Sequence, residues 1–72
     1  MLPFSSAIDA ITRGLKVSRE GWNGKGMHIE LVKPILDEVS TEDYIVMHTA
    51  QGDVIPWLAS QADLLANDWI IK

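Results

Sequence analysis

The sequence predicts an α+β domain, with a small antiparallel β-sheet, an N-terminal helix and a short second helix before the last strand. Three patterns lead to this prediction. Apolar residues recur at helical spacing near the start, apolar and polar residues alternate in two central segments, and a helix-capping pattern precedes two leucines near the end. With 72 residues and no repeat or linker, we expect a single domain over residues 1–72.

The first helix is predicted over residues 5–13. Five apolar residues share one face of this segment: Phe4, Ala7, Ile8, Ile11 and Leu15. Ser6, followed three residues later by Asp9, resembles a capping box at the start of the helix. Gly14 suits the left-handed conformation that ends many helices.

Five short strands are predicted, at residues 16–18, from Met27 until Pro34 ends the pairing, and at residues 44–49, 54–56 and 68–71. In the second strand, Ile29 and Leu31 alternate with His28 and Glu30, which predicts one buried face. The third strand alternates in the same way. Residues 51–53 are expected to form the turn of a hairpin, and the acidic residues 37–43 an exposed loop.

A second helix is predicted from a second capping pattern. Ser60 is followed three residues later by Asp63, and two leucines and an alanine come next. Asn67 then provides a left-handed exit into the last strand.

Composition limits how so small a domain is stabilised. There is no Cys, so disulfides and thiolate zinc sites are excluded. We expect no metal site, because His28 and His48 lie on different predicted strands and form no closely spaced ligand pair. A core of this size rarely supplies more than about 3–5 kcal/mol. Because 47% of the residues are hydrophobic, we expect a homo-oligomer, a dimer or a tetramer.

Charge and hydropathy bear on partners and location. The net charge of −4 argues against a nucleic-acid polymer as partner. Residues 1–33 are nevertheless richer in cations than in acids, so one small diphosphate remains a reasonable ligand. No apolar run approaches the roughly 18–20 residues of a membrane span, and no signal peptide opens the chain. We expect a soluble, intracellular protein with no membrane partner.

The catalytic inventory predicts no enzyme. The chain has no Cys nucleophile, no glycine-flanked Ser of the hydrolase type and no phosphate loop. Neither His has an obvious Ser or Asp partner that would orient it. We therefore expect no catalytic residue and no cofactor.

Two segments, residues 19–27 and 56–69, combine aromatic, polar and glycine residues. They contain all three Trp and three of the five Gly. Aromatic faces flanked by hydrogen-bonding groups suit a flat, polar, nucleotide-like ligand. The candidate ligand-binding residues are Phe4, Arg19, Trp22, Asn23, Gly24, Lys25, Trp57, Gln61 and Asp63.

Several candidates have a structural alternative. Trp22 is either a stacking platform or a lid over the core, and Trp69 fits the core or a subunit interface. Arg19 either contacts phosphate or pairs with Glu20 or Glu30.

Four further candidates could instead serve the fold alone. Asn23 suits a turn, and Lys25 suits a solvated turn. Phe4 fits the core, and Asp63 serves either the ligand or the cap of the second helix.

The two segments also carry a family resemblance. After an opening Phe-x-x-Ala-Ile helix, the chain reads Lys-Val-x-Arg-Glu-Gly-Trp-Asn-Gly-Lys-Gly-Met from Lys16 and Pro-Trp-Leu-Ala-Ser-Gln-x-Asp-Leu-Leu-Ala-x-Asp-Trp from Pro56. These motifs resemble the Thoeris anti-defense 2 family of small phage and prophage domains, over Phe4 to Ile71.

The resemblance implies a sponge that binds a cyclic ADP-ribose isomer, made by a bacterial TIR enzyme, without degrading it. It also implies a place in the cytoplasm of the infected bacterium. The alternative is a small phage structural or protein-interaction module whose aromatic residues form a subunit or partner interface.

Overall fold

The computed structural model of the protein describes residues 1–22, 26–33 and 42–72. Its elements in chain order are α1 (Phe4–Thr12), β1 (Val17–Arg19), β2 (His28–Val32), β3 (Tyr44–His48), β4 (Val54–Pro56), α2 (Gln61–Leu65) and β5 (Trp69–Ile71). The strands form one sheet in the order β4-β3-β2-β1-β5, and each neighbouring pair is antiparallel. The predicted α+β fold is confirmed.

The core lies between α1 and one face of the sheet. Among the described residues, six buried side chains form it: Ala7, Ala10 and Ile11 from α1, and Val17, Ile29 and Trp69 from β1, β2 and β5. Trp69 is the largest fully buried side chain. Leu15 was predicted on the apolar face of α1, but the helix has already ended at Thr12 and the Leu15 side chain is exposed. That part of the prediction is wrong.

The start of α1 differs from the prediction. Pro3 occupies the cap position and no side chain caps the helix, so the predicted capping box of Ser6 and Asp9 is wrong. Ser6 already lies in the first helical turn, where its backbone N–H donates to the Pro3 carbonyl at 3.1 Å. Asp9 instead pairs with Arg13 one turn later.

The end of α1 follows the prediction. Gly14 has a φ of +88°. Its N–H donates to the Ile11 carbonyl at 3.0 Å, and the Leu15 N–H donates to the Ala10 carbonyl at 3.1 Å. This pair of bonds is the Schellman motif, which satisfies carbonyls that the last helical turn leaves unpaired.

Strand pairing fixes which side chains share a face. β2 and β3 pair in register with His28 opposite His48 and Ile29 opposite Met47. Ile29 points into the core beneath α1, so His28 and Glu30, which alternate with it, lie on the other face of the sheet.

The alternation of faces is as predicted, but the burial is only partly so. Leu31 is half-buried, and the buried residue of β3 is Val46, on the face of His28 and His48.

The hairpin between β3 and β4 is also confirmed. Gly52 adopts a φ of +93°, and the Thr49 N–H donates to the Asp53 carbonyl at 2.8 Å. In the two strands that this turn joins, Met47 of β3 pairs with Ile55 of β4.

α2 begins as predicted and ends differently. The hydroxyl of Ser60 accepts from the Asp63 N–H at 3.1 Å, and the Ser60 N–H donates to the Asp63 carboxylate at 3.0 Å. These two bonds form the predicted capping box. The helix ends at an extended Ala66, and no described residue other than glycine has a positive φ. The predicted left-handed exit at Asn67 is therefore wrong.

Residues 23–25, in the first of the two glycine- and aromatic-containing segments, lie outside the described residues. So do residues 34–41, which include Pro34, the predicted end of the second strand, and most of the predicted acidic loop. Glu42 and Asp43, at the end of the acidic loop, are exposed. Among the described helices, none has the length and apolar character needed to cross a membrane.

Candidate functional site

Four aromatic side chains, which we call the aromatic cluster, meet at one end of the core: Phe4, Trp22, Trp57 and Trp69. The centroid of the Trp69 ring lies 5.5 Å from that of Phe4, 5.4 Å from that of Trp22 and 6.1 Å from that of Trp57. The rings of Trp22 and Trp57 stand nearly perpendicular to it, at 81° and 86°. Trp69 is fully buried, whereas the other three keep part of their surface exposed.

A hydrogen bond fixes each Trp residue, through the backbone N–H of Trp57 and Trp22 and through the indole N–H of Trp69. Trp57 follows β4, and its N–H donates to the Ile45 carbonyl at 2.9 Å. Trp22 closes the turn after β1, with its N–H donating to the Arg19 carbonyl at 3.2 Å. The indole N–H of Trp69 donates to the Asp63 carbonyl at 3.1 Å, so the buried ring has its polar group satisfied.

Three charged side chains, which we call the arginine–carboxylate network, connect β1 to α2 and to the start of β5. Nε of Arg19 donates to Oδ1 of Asp68 at 2.9 Å, and Nη1 donates to Oδ1 of Asp63 at 3.1 Å. Asp68 also accepts from the Gly21 N–H at 3.2 Å. A Cβ at Gly21 would lie 3.3 Å from that carboxylate, so the glycine permits this close approach.

The network is electrostatically matched. Hydrogen bonds from Arg19 are the main cause of a lowered pKa for Asp68, and the bonds to Asp68 and then Asp63 raise the pKa of Arg19. Partial burial acts to raise the pKa of Asp63, but the bonds donated by Ser60 and Arg19 outweigh it, and the net pKa is lowered. All three groups are therefore charged at neutral pH.

The network corrects the predicted partners of Arg19 and adds Asp68 to the candidate site. Arg19 pairs with neither Glu20 nor Glu30, and its partners are Asp63 and Asp68. Asp68 was not among the predicted candidates. Asp68 precedes Trp69, and Trp69 pairs with Arg19 in the register of β1 and β5. This pairing is what brings Asp68 close to Arg19. That register is a tertiary feature, so the sequence pattern did not reveal it.

The nine predicted candidates fall into four groups. Gln61 lies in the first turn of α2 with an exposed side chain. Asn23, Gly24 and Lys25 lie outside the described residues, and their ligand role stays a prediction. Phe4, Trp22 and Trp57 belong to the aromatic cluster, while Arg19 and Asp63 belong to the network.

The described residues of one chain enclose no pocket. Two apolar side chains before and within α2 remain in solvent: Leu58 is 92% exposed and Leu65 77%.

A second polar cluster lies on the sheet face opposite α1. The rings of His28 and His48 stack with centroids 4.2 Å apart and planes 14° apart, and Glu30 lies beside them. We had expected no metal site because the two histidines lie on different strands. The two histidines do lie on different strands, but the expectation that they form no closely spaced pair is wrong, since the pairing of β2 with β3 places them directly opposite each other.

Comparison with known proteins gives two matches over nearly the whole chain. The sequence model of one family, described as the Thoeris anti-defense 2-like domain, matches residues 2–72. A protein of Bacillus phage SP01 named Thoeris anti-defense 2 is 30% identical over 83 aligned positions, which cover 97% of this chain and 93% of the phage protein.

Proposed function

The chain belongs to the Thoeris anti-defense 2-like family and so has a phage anti-defense role, and on that premise we propose that it binds and sequesters a cyclic ADP-ribose-type signalling nucleotide without degrading it. The mechanism is equilibrium capture, with no bond made or broken and no cofactor. The observation that carries the proposal is that the aromatic cluster and the arginine–carboxylate network are neighbours. The Trp69 indole N–H donates to the backbone carbonyl of Asp63, whose carboxylate belongs to the network.

The aromatic cluster supports recognition of the base. Trp22 and Trp57 are half-buried against Trp69 and keep part of their surface exposed. A base stacked on an indole gains on the order of 1–3 kcal/mol. Because Trp22 and Trp57 each pack against the core, little side-chain entropy is lost when a ligand binds.

The arginine–carboxylate network supports recognition of the sugars. Carboxylate oxygens of Asp63 and Asp68 accept hydrogen bonds from ribose hydroxyls, and the guanidinium of Arg19 has more N–H groups than its two described bonds use. Two carboxylates surround one arginine, so the network itself carries a net negative charge. A diphosphate therefore needs further donors, and we assign that role to Lys25, Asn23 and Gly24.

A second copy of the chain would complete the site. The absence of an enclosed pocket among the described residues supports this, as do the exposed side chains of Leu58 and Leu65. Tight capture of a small ligand requires burial of most of its surface. We therefore propose a homo-oligomer, a dimer or a tetramer, acting in the cytoplasm of the infected bacterium.

Calorimetric titration with a set of nucleotides tests the proposal. Cyclic ADP-ribose isomers should bind saturably, and linear ADP-ribose and AMP should bind at least about tenfold more weakly because a cyclic ligand is preorganised. Absence of saturable binding to every cyclic isomer would overturn the proposal.

The second candidate function is a protein-interaction module. It is favoured by the exposure of Leu58, Leu64 and Leu65 at and before α2, since exposed apolar patches mark interaction surfaces. In that case Leu58→Ser and Leu65→Ser abolish binding to a partner protein, and no nucleotide binds.

A further inference from the structure

We propose that His28, Glu30 and His48 form a binding site for one divalent transition-metal cation of the zinc class. The site lies on the sheet face opposite α1, away from the aromatic cluster in the core. It is independent of nucleotide capture, so either proposal can fail without the other.

The three side chains are already gathered by strand pairing. His28 and His48 are paired residues of β2 and β3, and Glu30 follows His28 on the same face. Nε2 of His48 lies 3.1 Å from Oε1 of Glu30, and Nε2 of His28 lies 3.9 Å from Oε2 of Glu30. One ligand atom from each residue can be chosen so that all three lie within 4.8 Å of one another.

The tautomer of His28 is fixed in the form that a metal requires. Nδ1 of His28 lies 2.8 Å from the Gly26 carbonyl. A carbonyl oxygen only accepts, so Nδ1 carries the proton, and in the neutral ring Nε2 presents a lone pair. Histidines that bind metals are commonly oriented by such a bond from the other ring nitrogen.

Nε2 of His28 also has no described hydrogen-bond partner. This atom is buried, and among the residues that the structure describes nothing donates to it or accepts from it. Leaving a buried polar atom unsatisfied is costly. A metal ion between Nε2 of His28 and the Glu30 carboxylate would remove that cost.

The ligand types select the class of ion. Two imidazoles and one carboxylate suit zinc and its neighbours, whereas Mg²⁺ and Ca²⁺ prefer oxygen ligands. With bonds of roughly 2.0–2.1 Å, ligands of tetrahedral zinc lie about 3.3 Å apart. His48 and Glu30 are near that spacing. The two imidazole rings stack almost parallel, so one ring must turn for both Nε2 lone pairs to face the same ion. A fourth position remains open to water.

Two competitors occupy the site in the absence of metal. Nε2 of His48 lies 3.1 Å from Oε1 of Glu30, so zinc must take the place of that contact, with the ring in the neutral tautomer that has its proton on Nδ1. Nζ of Lys16 lies 3.9 Å from Oε2 of Glu30, but this side chain is 55% exposed and can turn into solvent.

The test is calorimetric titration of the full-length, untagged protein with ZnCl₂ after treatment with a chelator, with MgCl₂ as the comparison ion. We expect one zinc ion per chain, no saturable magnesium binding and a raised melting temperature with zinc. His48→Gln and Glu30→Gln should each weaken zinc binding by at least about tenfold. Asp9→Asn, on the exposed face of α1, is the matched control and should bind zinc as the parent does.

NMR of the imidazole nitrogens gives a readout that does not depend on a variant folding. Without metal, His28 should show a protonated Nδ1, and zinc should shift its Nε2 resonance. Absence of saturable zinc binding would overturn the proposal. So would binding that both His48→Gln and Glu30→Gln leave unchanged, or a stoichiometry of one ion per two chains.

Discussion

Trp22 and Trp69 come from the two aromatic-rich segments and touch each other, yet their environments differ. Trp69 is fully buried beneath α1, and its indole N–H is bonded to Asp63. Trp22 packs edge-on against it and keeps part of its surface exposed. Of the two roles considered for Trp69, its burial favours the core. Trp22 packs on the core and also offers a surface on which a base can stack.

Replacement of Trp22 by Ala separates these roles. We expect Trp22→Ala to weaken nucleotide binding by roughly 1–3 kcal/mol in calorimetry, because the stacking surface is lost, while circular dichroism still shows the fold. Trp69→Ala is the comparison and should cost about 3–5 kcal/mol of stability. Unchanged nucleotide affinity in a folded Trp22→Ala protein would remove Trp22 from the site.

The carboxylates of the arginine–carboxylate network give the stability a defined pH dependence. The pKa values of Asp63 and Asp68 are lowered in the folded protein. Their contribution is therefore present above the ordinary carboxyl pKa of about 3.9 and is lost as the pH falls below it. The melting temperature of the parent should drop as the pH falls from about 4 towards 2.

Asp68→Asn is the variant that tests this assignment. It should lower the melting temperature at pH 7 and flatten its decline below about pH 4, because one shifted carboxylate is gone. An unchanged pH profile in Asp68→Asn would show that the Arg19 pair does not contribute to acid stability.

At the scale of the elements, most local patterns were predicted correctly, whereas contacts between elements were not. The alternation of β2 and β3, the Gly14 stop and the Ser60 capping box are set by residues close in sequence, and all were predicted. The stacking of His28 on His48 depends on strand register. Alternation tells which face a residue occupies but not which residue lies opposite it.

Two errors at helix ends have a related cause. A Ser-x-x-Asp spacing at Ser6 occurs at helix caps and also within a first helical turn. In the structure Pro3 is the cap residue of α1, so Ser6 lies inside the helix. Asn67 was predicted to be left-handed on residue type alone, but the chain leaves α2 in an extended conformation at Ala66.

The first turn of α2 yields a paired prediction. Ser60→Ala should cost about 1 kcal/mol of stability, because the bond to the Asp63 N–H is lost, and should leave nucleotide affinity nearly unchanged. Gln61→Ala should do the reverse, since its side chain is exposed and, under the proposal, contacts the ligand. Thermal melts and titrations of both variants decide the matter, and equal affinity in all three proteins would exclude Gln61 from the site.

At the scale of the whole molecule, the distribution of apolar surface points to assembly. Among the described residues, seven apolar side chains are buried, while ten large hydrophobic ones are exposed, Leu58 at 92% among them. A single small core of this kind supplies little net stability on its own.

Sedimentation tests the assembly. At low micromolar concentration we expect a dimer or tetramer and no folded 8.0 kDa monomer. Leu58→Ser should shift the population towards smaller species, because an exposed apolar contact is removed. A stable, well-folded monomer would contradict the assembly.

The measurement that tests capture without chemistry most directly is recovery of the ligand. The protein is incubated with a cyclic ADP-ribose isomer, separated from free nucleotide and denatured by heat, and the released material is identified by mass spectrometry. The proposal predicts that the intact cyclic nucleotide is recovered in stoichiometric amount. Release of a linear or otherwise altered product, or of no nucleotide at all, would contradict it.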